Sequence, residues 1–134
     1  MRILISAMLC VATLAGSGCA TVTSGLAADR DLYLFESKMD DVSFGMSKVR
    51  VQQIMGPPKQ RLYQGSQEAW LWCQTSSTPR FADAFLTVHF FNAQVAAIHT
   101  YGNRAEGQCE TFFRPVEWLA DPQQSMAARQ RRRD

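Results

Sequence analysis

Apolar positions change their spacing several times along the chain, and each change marks a different kind of segment. Ile3 to Leu14 is an apolar run interrupted only by Ser6 and Thr13. It falls short of the roughly 20 residues that span a bilayer, and small residues follow it up to Cys19. Residues 19–28 are mostly small and polar, a composition expected to form a flexible tether. From Asp29 the apolar residues Leu32, Phe35 and Met39 recur at helical spacing, which predicts a first helix over Asp29 to Lys38. A second helix has both ends marked. Ser47 is its N-cap, Met46 and Val51 form a hydrophobic staple, and Val51, Ile54 and Met55 make one apolar face. Gly56 ends it and Pro57-Pro58 forbids its resumption.

Beyond the prolines the period becomes two. Gly65-Ser66 separates Gln60 to Tyr63 from Glu68 to Cys73, with Trp70 and Trp72 on one face and Leu71 and Cys73 on the other. A polar loop from Gln74 to Asp83 leads to Phe85 to Phe91. Asn92-Ala93-Gln94 then turns the chain into Val95 to Tyr101. Leu86, Val88 and Phe90 form the core face of that third strand, and Phe85, Thr87, His89 and Phe91 a mixed second face. Helices followed by three or four antiparallel strands predict an α+β domain over residues 29–122, with a basic, disordered tail over 123–134.

The charged residues alter this picture little. Between Ala20 and Ala128 there are nine basic and 11 acidic residues, so the body is near neutral and no nucleic-acid partner is expected. The Arg-rich end could touch anionic phospholipid.

Arg2, the apolar run and the small residues after it read as a secretory signal over residues 1–18. Gly18-Cys19 resembles a bacterial lipobox, although Gly16 stands where Leu or Val is usual, and implies a diacylglyceryl group on the Cys19 sulfur. The other reading is a free secreted domain. Ala20, not an acidic residue, follows the cysteine, which resembles the sorting pattern that releases a lipoprotein to the outer membrane. Cys10 leaves with the signal and Cys19 takes the lipid, so Cys73 and Cys109 remain as an even pair in an oxidising compartment and are expected to bond. Closing a loop of about 36 residues in this way contributes on the order of 3 to 4 kcal/mol in the chain-entropy account.

The run Gly45-Met46-Ser47, Val51, Ile54-Met55-Gly56 and Pro58, a Trp-containing strand, and Leu86-x-Val88-x-Phe90-Phe91 resembles the BamE (SmpA/OmlA) family of small outer-membrane lipoproteins, over roughly Asp41 to Tyr101. The resemblance implies two N-terminal helices packed on one face of a three- to four-stranded antiparallel sheet. It also implies a protein-binding or scaffolding role beside the β-barrel assembly machine. The same small architecture resembles the repeating unit of a secreted β-lactamase inhibitor. The pair Cys73 and Cys109 and the aromatic C-terminal segment depart from the family pattern, and none of the family's contact residues is carried over.

Catalysis has little to stand on. The chain has no Ser in a G-x-S-x-G elbow and no phosphate-binding glycine loop, and its one acidic pair, Asp40-Asp41, fits a helix end. No enzyme and no cofactor is expected. His89 and His99 lie on adjacent strands. A three-residue turn would set His89 opposite Ala97 and put both rings on one face, whereas a two-residue turn would separate them. With no third ligand evident, no metal is expected.

Phe85, Phe91, Tyr101, Phe112, Phe113 and Trp118 are the candidate binding face. If Cys73 points away from the helices, its bond to Cys109 draws the C-terminal segment over this face instead and closes it as a second core. The expected function is an outer-membrane-anchored, periplasm-facing module that binds an envelope protein in outer-membrane protein assembly or envelope integrity. The alternative is a small periplasmic enzyme inhibitor that inserts the loops Gln74 to Asp83 and Tyr101 to Gln108.

Overall fold

A computed structural model describes residues 19–76, 78, 81–104, 107–124, 127 and 131–132. The expected signal segment, 1–18, lies outside the described residues, as does most of the expected basic tail. In what is described of that tail, Arg131 N–H donates to the Ala127 carbonyl at 3.3 Å.

The chain forms α1 (Cys19–Asp40), α2 (Lys48–Met55), then β1 (Gln60–Gln64), β2 (Gln67–Gln74), β3 (Asp83–Phe91) and β4 (Gln94–Asn103). A 3₁₀ turn at Cys109–Phe112 follows. The strands make one antiparallel meander in the order β1-β2-β3-β4. The α+β expectation and the fourth strand therefore hold.

Helix α1 begins ten residues before the expected start, and the segment expected as a tether is helical. That segment contains no proline, and Ala20, Leu26, Ala27 and Ala28 are good helix formers. Once Leu32, Phe35 and Met39 anchor the later turns, adding residues to an existing helix costs little compared with nucleating one.

Helix α2 keeps the ends its sequence announces. Ser47 is extended, and its hydroxyl accepts from Arg50 N–H at 3.2 Å. Gly56, at φ 78°, stops the helix while its own N–H donates to Gln52 at 2.8 Å. The Gly56 carbonyl in turn accepts from the Trp72 indole at 3.1 Å, which ties the helix end to β2. At the other end of α2, Gly45 N–H donates to Val95 and Val95 N–H to Met46, both at 2.9 Å, so the approach to the helix is laced to β4.

Both helices lie on one face of the sheet. Val42, Val51 and Met55 pack with Trp70, Trp72, Leu86, Val88, Phe90 and Val95, and Phe35 and Met39 of α1 close the layer. Burial of such side chains contributes about 1.5–3 kcal/mol each relative to exposure. One charged group enters this layer. Glu68 accepts from the Trp70 indole and from Lys48, which also sits over the Phe90 ring. Burial pushes the Glu68 carboxyl up, but these hydrogen bonds and the Lys48 charge bring it below the usual carboxylate value.

Candidate functional site

The strand alternation that sends Trp70, Leu86 and Phe90 to the helices sends Leu71, Cys73, Phe85, Thr87 and His89 to the opposite face, and all of these are buried. What buries them is the C-terminal segment. Cys109 bonds Cys73 with their Cα atoms 6.0 Å apart, and Cys109 N–H donates to the Thr75 hydroxyl at 3.1 Å. Lys59 and Glu110 pair at 3.0 Å beside the bridge. Further along, Arg114 N–H donates to the Tyr101 hydroxyl at 2.9 Å while its guanidinium lies 4.4 Å above the same ring. Trp118 meets His89 edge to face at 5.9 Å. At the far end the Gln67 side chain donates to the Leu119 carbonyl at 2.7 Å and accepts from its N–H at 3.1 Å. Residues 109–119 thus run the length of the second face.

The six residues of the candidate binding face are distributed unequally by this cover. Phe85 is fully buried, stacked on Tyr101 at 4.6 Å and edge-on to Phe113 at 5.9 Å. With Cys73, Cys109 and Phe112 they form a second small core. Trp118 joins His89, and Phe91 sits half-buried at the end of β3, paired with Gln67 and Gln94. Of the two readings of this face, the covered one describes it, because the disulfide fixes the C-terminal segment over it.

The histidines meet by a route that neither expected turn supplies. The turn is two residues, Asn92 and Ala93, both left-handed at φ 50° and 61°, and Gln94 already belongs to β4. Such a turn alone would put the rings on opposite faces. The register then shifts: Phe90 faces Val95, but His89 faces Ala97, leaving Ala96 as an extra residue in β4. The bulge restores His99 and Tyr101 to the second face. His89 and His99 lie with ring centroids 5.2 Å apart at 80°.

His89 is 1% exposed and its Nδ1 has no hydrogen-bond partner. Burial, and then the neighbouring His99, push its pKa down to about 4, so the ring is neutral at pH 7. It lines a cleft of about 190 Å³ between sheet and cover, together with Thr87, His99, Tyr101, Arg114 and Glu117. Sequence reasoning missed Arg114 and Glu117, since only the Cys73–Cys109 bond brings them here. A second cleft, of about 340 Å³, opens where α1 meets the start of β3, between Leu32, Met39, Phe81 and Asp83. Asp83 accepts from Ser76 N–H at 2.8 Å through one carboxylate oxygen, and its other oxygen is buried without a partner.

Cys19, the candidate lipidation site, is the first residue of α1. Among the described residues no helix is long and apolar enough to cross a membrane. No protein-family model matches the chain, and no curated protein matches it significantly.

Proposed function

We propose that this chain is exported, lipidated at Cys19 and held on the periplasmic face of the outer membrane. There it works as a BamE-like protein-binding module in outer-membrane protein assembly or envelope integrity. The Cys73–Cys109 disulfide carries the reading. It joins the two cysteines that remain when Cys10 leaves with a signal and Cys19 takes a lipid, and such bonds persist in oxidising compartments. The two helices on one face of the antiparallel sheet agree with the layout that the resemblance implies.

The cover formed by residues 109–119 takes up the aromatic face, so the partner surface is sought elsewhere. Among the described residues, the large apolar side chains left in solvent are Tyr33 and Leu34 on α1, Val49 on α2, Tyr63 on β1 and Phe81 before β3. Photo-crosslinkers placed at Tyr33 and Tyr63 in living cells test the reading. Adducts with barrel-assembly components support it, and absence of any envelope adduct overturns it. Intact mass of membrane-extracted protein tests the anchor: a mature chain starting at Cys19 with acyl mass is expected, and one without acyl mass removes the anchor.

One observation favours the inhibitor reading. Between β2 and β3, Ser76 N–H donates to Asp83, Phe81 N–H donates to Thr78 at 3.2 Å, and Phe81 is exposed. An exposed aromatic anchor suits insertion into an enzyme cleft. A crosslinker at Phe81 that captures a single periplasmic hydrolase would favour it.

A further inference from the structure

The distal half of the cover closes over a buried histidine that has no place for a second proton. His89 is 1% exposed, with the Trp118 ring edge to face against it at 5.9 Å and the His99 ring at 5.2 Å. Its Nδ1 is sealed from solvent and has no hydrogen-bond partner. A neutral imidazole can carry its one proton on the other nitrogen, whereas an imidazolium has an N–H at both. Protonation under the closed cover would therefore bury a charge together with an N–H that has no acceptor. The groups around the ring do not compensate. Its cross-strand partners Ala69 of β2 and Ala97 of β4 are neutral, and so are Thr87 and Phe91 on its own strand. The titratable group touching it is His99 of β4, which can only repel a positive charge. On the cover, Trp118 is neutral, while Arg114 and Glu117 line the adjoining cleft. Arg114 is held over Tyr101, and among the described residues no ion pair joins Glu117 to either histidine. Glu68 and Lys48 belong to the helical face of the sheet.

We propose that residues 115–119 form an acid-released flap: protonation of His89 lifts Trp118 from the sheet while the disulfide-held part of the cover stays in place. The geometry sets where the release occurs. On the sheet side, His89 is enclosed by the paired strands β2 and β4, so the Trp118 side is the one that can open. Upstream, the Cys73–Cys109 bond and the contacts of Arg114 with Tyr101 hold residues 109–114 whatever the charge on His89. Downstream of Pro115, the flap is held by Trp118 on His89 and by the amide pair between Gln67 and Leu119. Breaking these contacts leaves every strand pairing intact, so the flap opens at lower cost than the sheet. Opening hydrates the imidazolium and frees Trp118, with the sheet surface around His89 and Thr87, for contact with a partner. Closing at neutral pH hides them again. Burial and His99 hold the closed-state pKa at about 4, against 6.5 for an ordinary histidine. The opening equilibrium therefore rises by up to about 300-fold as pH falls through this window. Neither lipidation nor the BamE-like reading enters this inference.

Hydrogen exchange by NMR on the exported chain with its disulfide intact tests the flap, read at the Leu119 amide, whose N–H donates to Gln67. After correction for the intrinsic rate at each pH, protection at Leu119 is expected to fall by roughly 100-fold between pH 7 and 4. Low concentrations of urea should leave that exchange unchanged, the mark of a local opening, and amides of β2 and β3 should stay more protected than Leu119 throughout. H89F and H89Q remove the titrating group and should abolish most of the fall, with circular dichroism showing which of them is folded. E117Q and H99A should keep most of it. Constant protection in wild type overturns the proposal. So does protection that rises with acid, as an imidazolium bound against the Trp118 ring would produce. A urea-sensitive fall shared equally with β3 would be global unfolding and overturns it as well. Retention of the fall in a folded H89F or H89Q, or its loss in E117Q or H99A, places the proton on another group and has the same consequence.

Discussion

His89 and His99 touch because an extra residue in β4, Ala96, offsets the parity of a two-residue turn. The same offset keeps Tyr101 against Phe85 and lets Ile98 return to the helical face beside Val88. Deleting Ala96 would remove the bulge and leave the pairings beyond it in place, with Ala97 opposite His89 and His99 opposite Thr87. His99 and Tyr101 would keep the second face, and Ile98 the helical one. The expected outcome is a variant that still unfolds cooperatively in a urea titration, with at most a shifted midpoint. Loss of cooperative unfolding would show that β4 needs the bulge itself and not only the parity it restores.

Stability should depend on pH through His89. Its folded pKa of about 4 lies below the ordinary 6.5, so between these values the unfolded chain binds the proton that the folded chain refuses. The contribution is complete above pH 6.5 and is lost as pH falls toward 4. A shift of this size corresponds to roughly 3 kcal/mol at most. Urea midpoints measured from pH 7.5 to 5 should fall, and H89F should flatten that slope. Glu68 and Glu110 have lowered pKa values, so their contributions are lost below the ordinary carboxylate range and act in a separate, more acidic window. A wild-type midpoint unchanged between pH 7.5 and 5 would contradict the assignment.

Two backbone positions invite opposite substitutions. Gly56 sits at φ 78° and ψ −171°, a region that residues with a Cβ rarely occupy, and an added Cβ there would meet nothing within 4 Å. Gly56→Ala should therefore cost about 1–3 kcal/mol from backbone strain alone. Ala93 already carries a Cβ at φ 61° in the β3–β4 turn. Ala93→Gly should stabilise by about 0.5–1 kcal/mol, the left-handed penalty less the extra unfolded-state entropy of glycine. Chemical denaturation of the two variants checks both signs.

How much of the fold is legible in the sequence depends on how local the determining residues are. Ser47, Gly56 and the prolines fix α2 within a dozen positions, and the alternation around Trp70 and Trp72 assigns the sheet faces without reference to anything distant. The bulge is not legible. A one-residue surplus near Ala96 leaves an apolar run, Val95-Ala96-Ala97-Ile98, that reads equally well in either register. Glu117 in the histidine cleft is hidden for a different reason: its position follows from a disulfide whose partner, Cys73, is buried on the second face. The cysteines signal that the segment crosses that face but not which residues lie over His89. The start of α1 escapes composition because small, polar residues argue against an isolated helix, whereas this one propagates from packed turns.

The contact between Gln67 and Leu119 spans 52 positions and holds the far end of the cover through both functions of one side-chain amide. Gln67→Ala removes both hydrogen bonds, while Gln67→Glu keeps an acceptor for Leu119 N–H but sets a carboxylate against the Leu119 carbonyl. Each neutral hydrogen bond is worth about 0.5–1.5 kcal/mol, so global stability should fall by about 1–3 kcal/mol in Gln67→Ala. The larger effect should be local. With the disulfide still fixing Cys109, the segment beyond Arg114 becomes free to open, and amide exchange at Val116 to Leu119 should accelerate well before the sheet is affected. Hydrogen exchange read by NMR separates the two effects. Acceleration confined to 116–119 identifies the amide pair as the latch of the cover, whereas uniform acceleration across β2 and β3 would make it an ordinary part of the global fold.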